Sequence, residues 1–504
     1  MNRHRITFQQ EQTLTVPAGT RLDNVAVQAG YALRTHCGGT GTCGKCQVII
    51  NQQKVLACQT IVESDLDVII PNMSLRTDEQ NIVIQTASKS AVCRPPSAVA
   101  KGYGIAVDIG TTTLAAELHD FSGKLPPPIV SRANPQRQFG DDVMTRIQKV
   151  MEDKTALTAM QRLVVNAINE MVVGLTENMG ITPQDVSTMV VAGNSVMQCI
   201  LFGIDPSSLG ASPFHAPVSE FPQRQASDTG LTISGTVEAF PIFGGFVGGD
   251  IVAGMLVLEI SSAICRLPSA VLLDIGTNGE IVLSHFGNLF TTATAAGPAF
   301  EGAKIKHGTL AVPGAIDHVD FAAGKIVVST IGHQPAVGIC GSGLIDAAAL
   351  LLELGIIEPC GRLADKASQF ELVSAAESGI GESIVLTQRD IRELQLAAGA
   401  IRAGITLLLQ ENNVLPEEIK TFYLAGGFGQ CIRTSSAQRI GLFPSSIPAD
   451  RFLFCGNTSL AGARAVLLNP DNAEIARRLV EQSQHCELAA LPQFQHVFAE
   501  SMRW

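Results

Sequence analysis

The stretch Gly104-Ile-Ala-Val-Asp108-Ile-Gly110-Thr-Thr-Thr-Leu114 returns about 166 residues later as Ala270-Val-Leu-Leu-Asp274-Ile-Gly276-Thr277-Asn278-Gly279-Glu280-Ile-Val-Leu283. Each copy is an apolar run that reads as a strand, then an aspartate, a tight glycine turn with hydroxyl side chains, and a second strand-like run. The spacing is too long for a solenoid, whose units run roughly 20–50 residues. It predicts two duplicated domains facing each other. A strand–glycine–strand hairpin offers backbone N–H groups and hydroxyls to phosphate oxygens. An aspartate closing the first strand can hold Mg²⁺, directly or through water. One such motif is unselective, because many buried strands end in Asp-x-Gly turns; two copies, each flanked by strands, are selective. The candidate triphosphate site is therefore Asp108, Gly110, Thr111, Thr112 and Thr113 against Asp274, Gly276, Thr277, Asn278 and Gly279, with Asp108 and Asp274 as the Mg²⁺ ligands.

A third element follows at Thr421-Phe-Tyr-Leu-Ala425-Gly426-Gly427-Phe428-Gly429. An apolar strand runs into glycines that let a flat ligand approach the backbone closely. Alone this is a strand-to-loop turn; after two phosphate hairpins it fits an adenosine site at Gly426, Gly427 and Gly429. The three motifs, in this order, resemble the actin, sugar-kinase and heat-shock-chaperone ATPase superfamily over residues 102–504. The resemblance extends to Met189-Val-Val-Ala192-Gly193-Asn194 and Cys455-Gly456-Asn457-Thr458 as the connecting strands. Gly248-Gly249-Asp250-Ile-Val-Ala253 resembles the G-D-x-x-A of carbohydrate kinases, whose aspartate is the catalytic base. By that likeness Asp250 orients water on the γ-phosphate. The alternative is an aspartate capping a helix at 251–259.

The N-terminus carries different chemistry. Cys37-Gly-Gly-Thr-Gly-Thr-Cys43-Gly-Lys-Cys46 packs three thiols into a glycine-rich loop, and Cys58 follows. A [2Fe–2S] cluster needs four thiolates and backbone N–H groups facing its sulfides, which this loop supplies from Cys37, Cys43, Cys46 and Cys58. Val48–Ile50 and Lys54–Ala57 read as a hairpin that returns Cys58 to the loop. The same glycines mimic a dinucleotide fingerprint and a P-loop, but both need a strand before and a helix after. Here a helix around Leu22, Val25 and Ala29 precedes and a strand follows. A four-cysteine zinc site remains the alternative. The stretch resembles plant-type and adrenodoxin-type [2Fe–2S] ferredoxins, with a first interval of five residues where the plant spacing is four. Residues 1–85 are expected to form an α+β β-grasp ferredoxin domain, with strands also at 66–70 and 82–84. Residues 86–101, with Arg94-Pro95-Pro96-Ser97, read as a linker. A duplicated α/β actin-like (ribonuclease H-like) ATPase domain is expected beyond, with lobe I at 102–265 and lobe II at 266–504.

A ferredoxin joined to this ATPase fold resembles the reductive activators of corrinoid proteins. Ala133-Asn134-Pro135-Gln136-Arg137-Gln138-Phe139-Gly140-Asp141-Asp142-Val143 and Ala296-Gly297-Pro298-Ala299-Phe300-Glu301-Gly302-Ala303 are typical of that family's ATPase domain. The resemblance implies ATP-dependent return of a Co(II) corrinoid on a methyltransferase system to Co(I), through a [2Fe–2S] cluster. It also implies a corrinoid-protein partner, an upstream low-potential electron donor and a homodimer. Three other readings stay open on sequence alone. These are an activator of a radical dehydratase, a small-molecule kinase with a redox-sensing domain, and a zinc-stapled binding module.

Composition narrows the field. At 504 residues the chain exceeds a single core, and 46% hydrophobic against 16% charged residues marks it as globular. A net charge of −11 disfavours nucleic acid. The apolar run Phe240–Ile260 is broken by Asp250 and Glu259, so it reads as core, not membrane span. No N-terminal signal segment is read, and a reducing cytoplasm suits twelve cysteines. The eight outside the cluster loop are expected to be mostly buried small hydrophobes. Lys304, Lys306 and His307 read as a solvated face, Gly341–Gly343 as a helix start, and Arg389–Arg402 as an amphipathic helix.

Overall fold

The duplicated stretch folds as two antiparallel hairpins, and each hairpin seeds a six-stranded sheet. A computed structural model describes residues 3–9, 11–31, 33–35, 37, 39–41, 43–71, 74–75, 102–123, 126–258, 269–427 and 431–504. The proposed linker, the strand expected at 82–84 and Gly429 lie outside these residues.

The N-terminal sheet holds β1 (Arg3–Phe8), β2 (Gln12–Pro17), β3 (Gln47–Ile50), β4 (Gln53–Leu56) and β5 (Leu66–Ile69), in the order β2-β1-β5-β3-β4. Helix α1 (Leu22–Gln28) buries Leu22, Val25 and Ala26 against Ile6, Phe8 and Val48. Asn51 and Gln52 take φ of 51° and 66°. Positive φ at both central residues matches the right-handed twist of a two-residue hairpin turn, and that turn delivers Cys58 beneath the cysteine loop.

Lobe I is built on β6 (Tyr103–Ile109), β7 (Thr113–Asp120) and β8 (Ile129–Ala133), an antiparallel meander. Helices α2 (Val143–Glu152) and α3 (Thr155–Met179) cover one face. Strand β9 (Val186–Gly193) then pairs parallel with β6, and α4 (Ser195–Leu201) follows. β10 (Arg224–Gln225), α5 (Ala226–Thr229) and β11 (Thr236–Ala239) complete the edge, with β11 parallel to β9. Helix α6 (Gly249–Val257) lies on the other face.

Lobe II repeats the plan. β12 (Ala270–Ile275), β13 (Gly279–His285) and β14 (Asn288–Thr294) form the meander. An insertion follows, made of β15 (Ala315–Ala322), β16 (Lys325–Thr330), β17 (Gly338–Ile339), α7 (Gly341–Glu353), β18 (Gln369–Val373) and β19 (Ile384–Thr387). Helix α8 (Gln388–Glu411) leads to β20 (Thr421–Ala425), parallel to β12. Then come α9 (Thr434–Arg439), β21 (Phe452–Gly456) parallel to β20, α10 (Thr458–Leu468), α11 (Asp471–Gln482), β22 (Ser483–His485) and α12 (Phe494–Ser501).

Between the two sheets lies a separate core, formed by α6 and α10 with Ala106, Val190, Leu272 and Tyr423. The helices cross on small residues. A Cβ at Gly462 would stand 2.4 Å from the Ala253 carbonyl oxygen, and one at Gly254 would stand 2.9 Å from Thr458 Oγ1. Only glycine permits backbones this close. Among the described residues, no helix is long and apolar enough to cross a membrane.

Two sequence expectations are corrected here. His307 is buried, because it returns from the loop beneath β17, where Ile339 N donates to its carbonyl at 2.8 Å. Lys304 and Lys306 are exposed as expected; Lys304 lies 3.9 Å from Glu393, and the Lys306 amide donates to Asp390 Oδ1 at 2.8 Å. Among the lone cysteines described, Cys199 and Cys340 are buried, Cys455 and Cys486 are half-buried, and Cys360 and Cys431 are exposed. Gly341 does begin α7, and Arg389–Arg402 lies within α8.

Candidate functional site

The two repeated hairpins point their turns into one cleft of about 1570 Å³, open to solvent. Of the residues singled out from sequence, Asp108, Gly110, Thr111, Thr112, Thr113, Asp250, Asp274, Gly276, Thr277, Asn278, Gly426 and Gly427 line it. Gly279 does not. It is buried in β13, where a Cβ would meet Ile401 and Thr294 within 3 Å, so its role is packing.

The first hairpin is held from behind. Asn134 Nδ2 donates to the Gly110 carbonyl at 2.8 Å. The fully buried Arg146 donates to the Thr111 carbonyl at 2.6 Å and to the Gly140 carbonyl at 2.9 Å. Burial lowers Arg146 to about 9. Arg137 and Asp141 pair beside it at 3.0 Å. The 133–143 stretch is therefore the underside of the turn.

Two asparagines complete the hairpin from the front. Asn194 caps α4 through Met197 N, and its amide donates to Thr111 Oγ1 at 2.9 Å. Asn457 caps α10 through Leu460 N, and its amide donates to Asp108 Oδ2 at 2.8 Å. Each asparagine follows a glycine that ends a parallel strand, so the duplication extends to these caps. Ser459 Oγ donates to the other Asp108 oxygen at 2.7 Å.

Of the carboxylates that line the cleft, four crowd together: Asp108, Asp250, Asp274 and Glu280. Asp274 and Glu280 stand directly opposite in the β12–β13 register. Burial, then the Asp108 charge, pushes Asp274 up to about 7. Burial also raises Asp108, while Asp250 and Glu280 rise well above the carboxylate range through burial and then their acidic neighbours. Asp250 is not the helix cap. Gly248 holds that position, α6 begins at Gly249, and Asp250 Oδ1 accepts from the Ile251 amide at 2.9 Å. Gly426, at φ +86°, packs against Asp274, and a Cβ there would stand 2.6 Å from Asp274 Oδ1.

Sequence reading assigned no role to Glu280, Ser459, Arg146 or Glu301. Glu280 had a signal: the first copy of the repeat has Leu114 where the second has a charge in an otherwise apolar strand. Glu301 lies in a quoted motif, but only folding brings its carboxylate to Thr112 Oγ1 and Thr277 Oγ1, both at 2.8 Å.

The four N-terminal thiols stand as two pairs, Cys37 with Cys43 and Cys46 with Cys58, each pair within hydrogen-bonding reach. The Cys43 thiol draws Cys37 down to about 3, and burial pushes Cys46 up to about 12. Backbone N–H groups of Gly39 and Cys43 face the Cys37 sulfur, Lys45 N–H faces Cys43, and Cys58 N–H faces Cys46. Among the described residues, no three thiol, imidazole or carboxylate groups gather as one metal site.

This is a [2Fe–2S] ferredoxin domain joined to an actin-like ATPase fold. Residues 6–66 match the 2Fe-2S iron-sulfur cluster binding domain, residues 103–263 the RACo middle region, and residues 269–504 the C-terminal domain of RACo, the ASKHA domain. The chain is 30% identical to a solved reductive activator for corrinoid, iron-sulfur protein, covering 99% of this chain and 98% of that one with a TM-score of 0.73. It is 28% identical to the corrinoid activation enzyme RamQ of Eubacterium limosum, over 96% of both chains. It is 27% identical to the [Co(II) methylated amine-specific corrinoid protein] reductase of Methanosarcina barkeri, over 79% of this chain and 76% of that one. The chain belongs to the family of reductive activators of corrinoid proteins. The matched domains support a [2Fe–2S] cluster and ATP binding.

Proposed function

We propose that this protein uses ATP to pass one electron from its [2Fe–2S] cluster to the Co(II) centre of a corrinoid methyltransferase protein, restoring Co(I). One observation carries the reading. The cysteine loop packs on the stretch between Glu301 and Thr309, two residues that line the cleft, with Lys45 Nζ donating to the Lys306 carbonyl at 3.0 Å and to the Ile305 carbonyl.

Cys37, Cys43, Cys46 and Cys58 would hold the cluster, which would supply one-electron transfer. Thr111, Thr112, Thr277 and Asn278 would donate to a triphosphate between the hairpins. Gly426 and Gly427 would receive the nucleoside. Mg²⁺ fits the cleft chemically, because carboxylate oxygens are its preferred ligands and four crowded carboxylates favour a cation. Asp108 and Asp274 would hold it, and Asp250 would orient water toward the γ-phosphate. An upstream low-potential protein would reload the cluster in a reducing cytoplasm, and the family likeness favours a homodimer.

Plant-type clusters lie near about −400 mV, and the family likeness implies a lower Co(II)/Co(I) couple, which makes the transfer uphill. Nucleotide helps only by binding two conformations unequally, and closure of the lobes about the α6–α10 crossing offers them. The test mixes anaerobically purified protein, a low-potential reductant, Mg-ATP and an inactive Co(II) corrinoid protein. Co(I) absorbance is expected only with ATP. Its absence, or equal appearance without ATP, overturns the reading.

A further inference from the structure

Glu301 is engaged on both sides of the cleft. Thr112 on the first hairpin and Thr277 on the second each donate to it at 2.8 Å, one to each carboxylate oxygen. A hydroxyl has a single proton to donate. While Glu301 holds both, neither threonine can give that proton to a phosphate.

Glu301 also opens a tightly closed loop. Gly302 takes φ +76°, and a Cβ there would stand 2.5 Å from Thr309 N. A Cβ on Gly308 would stand 2.1 Å from the Gly302 carbonyl oxygen. The backbones at 302 and 308 therefore touch with no side chain between them, so a backbone shift at Glu301 is passed on to residue 308. The loop is tied to the second hairpin as well, through Gly297 N to the Thr277 carbonyl at 2.8 Å.

The far side of this loop carries the ferredoxin domain. Lys45, which lies between Cys43 and Cys46, donates to the carbonyls of Ile305 and Lys306. Arg34 donates to the Gly308 carbonyl at 3.0 Å.

We propose that Glu301 is the positioning residue that couples nucleotide binding to release of the cysteine loop. This rests on reading the cleft as the nucleotide site. Phosphate oxygens and the Glu301 carboxylate compete for the same two hydroxyls, and like charges at hydrogen-bond range repel. Nucleotide displaces the carboxylate, the 301–308 loop moves with it, and the Lys45 contacts open. Without nucleotide the cysteine loop stays docked.

The test uses full-length, cluster-loaded protein under anaerobic conditions with the ATP analogue AMPPNP and Mg²⁺. Calorimetry reads binding. Mass spectrometry reads acylation of Lys45 by an N-hydroxysuccinimide ester, relative to the exposed Lys54, and amide exchange over 302–308. In the wild type, AMPPNP is expected to raise the Lys45 rate roughly tenfold, a typical coupling between sites, and to raise exchange in the loop. Glu301→Gln keeps the shape and removes the charge. It is expected to bind AMPPNP roughly tenfold more tightly while its Lys45 response falls to within about twofold; a merely structural residue would not tighten binding and silence the response together. The proposal is overturned if AMPPNP binds wild type but Lys45 and the loop do not respond, or if Glu301→Gln responds as wild type does. If AMPPNP does not bind wild type, the nucleotide reading itself falls, and this proposal with it. Should Glu301→Gln not fold, Glu301→Asp, too short to span both hydroxyls, is expected to show fast Lys45 acylation without nucleotide. Slow acylation there, still responsive to nucleotide, overturns the proposal.

Discussion

Asp274 is held near the point of losing its proton. Its folded value is about 7, whereas an unfolded aspartate titrates near about 3.9. Between those values the native cleft keeps a proton that the unfolded chain has released. Folding stability contributed by this group is therefore full at low pH and is lost as pH rises from about 4 through about 7. The nucleotide-free protein is expected to melt at a higher temperature near pH 5.5 than near pH 8, and Asp274→Asn is expected to flatten that slope. Calorimetric scans across pH check both. Asp108 behaves differently under substitution, because Asn457 and Ser459 each donate to one of its oxygens. Asp108→Asn presents an NH₂ where one oxygen accepted a proton; Ser459 can meet it only by turning its hydroxyl to accept, and both contacts lose the carboxylate charge. It is expected to cost about 1–3 kcal/mol and to weaken Mg-ATP binding roughly a hundredfold, as read by denaturation and titration calorimetry.

At the scale of elements, the hairpins were legible because their chemistry is local. Asp, Gly and Thr sit within five positions of one another, and the flanking runs of Ile, Val, Leu and Ala state the strands. The ferredoxin loop was legible for the same reason. Glu301 and Ser459 were not, because their partners lie 189 and 351 residues away in the chain. His307 misled, since a histidine after two lysines looks solvated until β17 closes over it. The helix crossing was also hidden, because Gly254 and Gly462 look like ordinary weak points in helices. They are where α6 and α10 touch. Gly462→Val forces a side chain against the Ala253 backbone and is expected to destabilise the protein by about 3 kcal/mol or more. A shift in urea midpoint with an unchanged slope checks it.

At the scale of the molecule, the cluster and the cleft are separate sites joined by a few contacts. Cys37→Ser is expected to abolish Co(II) reduction, lower bound iron by at least half, and change the Kd for Mg-ATP by no more than about tenfold, the coupling between the sites. Iron analysis, absorbance and titration calorimetry read the three. If nucleotide affinity collapses as well, the two sites are not separable.

The reach of Asn457 and Ser459 back to Asp108 has a consequence for biosynthesis. The first hairpin leaves the ribosome some 349 residues before the asparagine that completes it. At about 5–20 residues per second, that is an interval of roughly 20–70 s. Throughout it the ferredoxin domain has its whole sequence available and can take up its cluster, while Asp108 still lacks both partners. A nascent chain can thus mature its redox centre before Asn457 and Ser459 exist to complete the first hairpin.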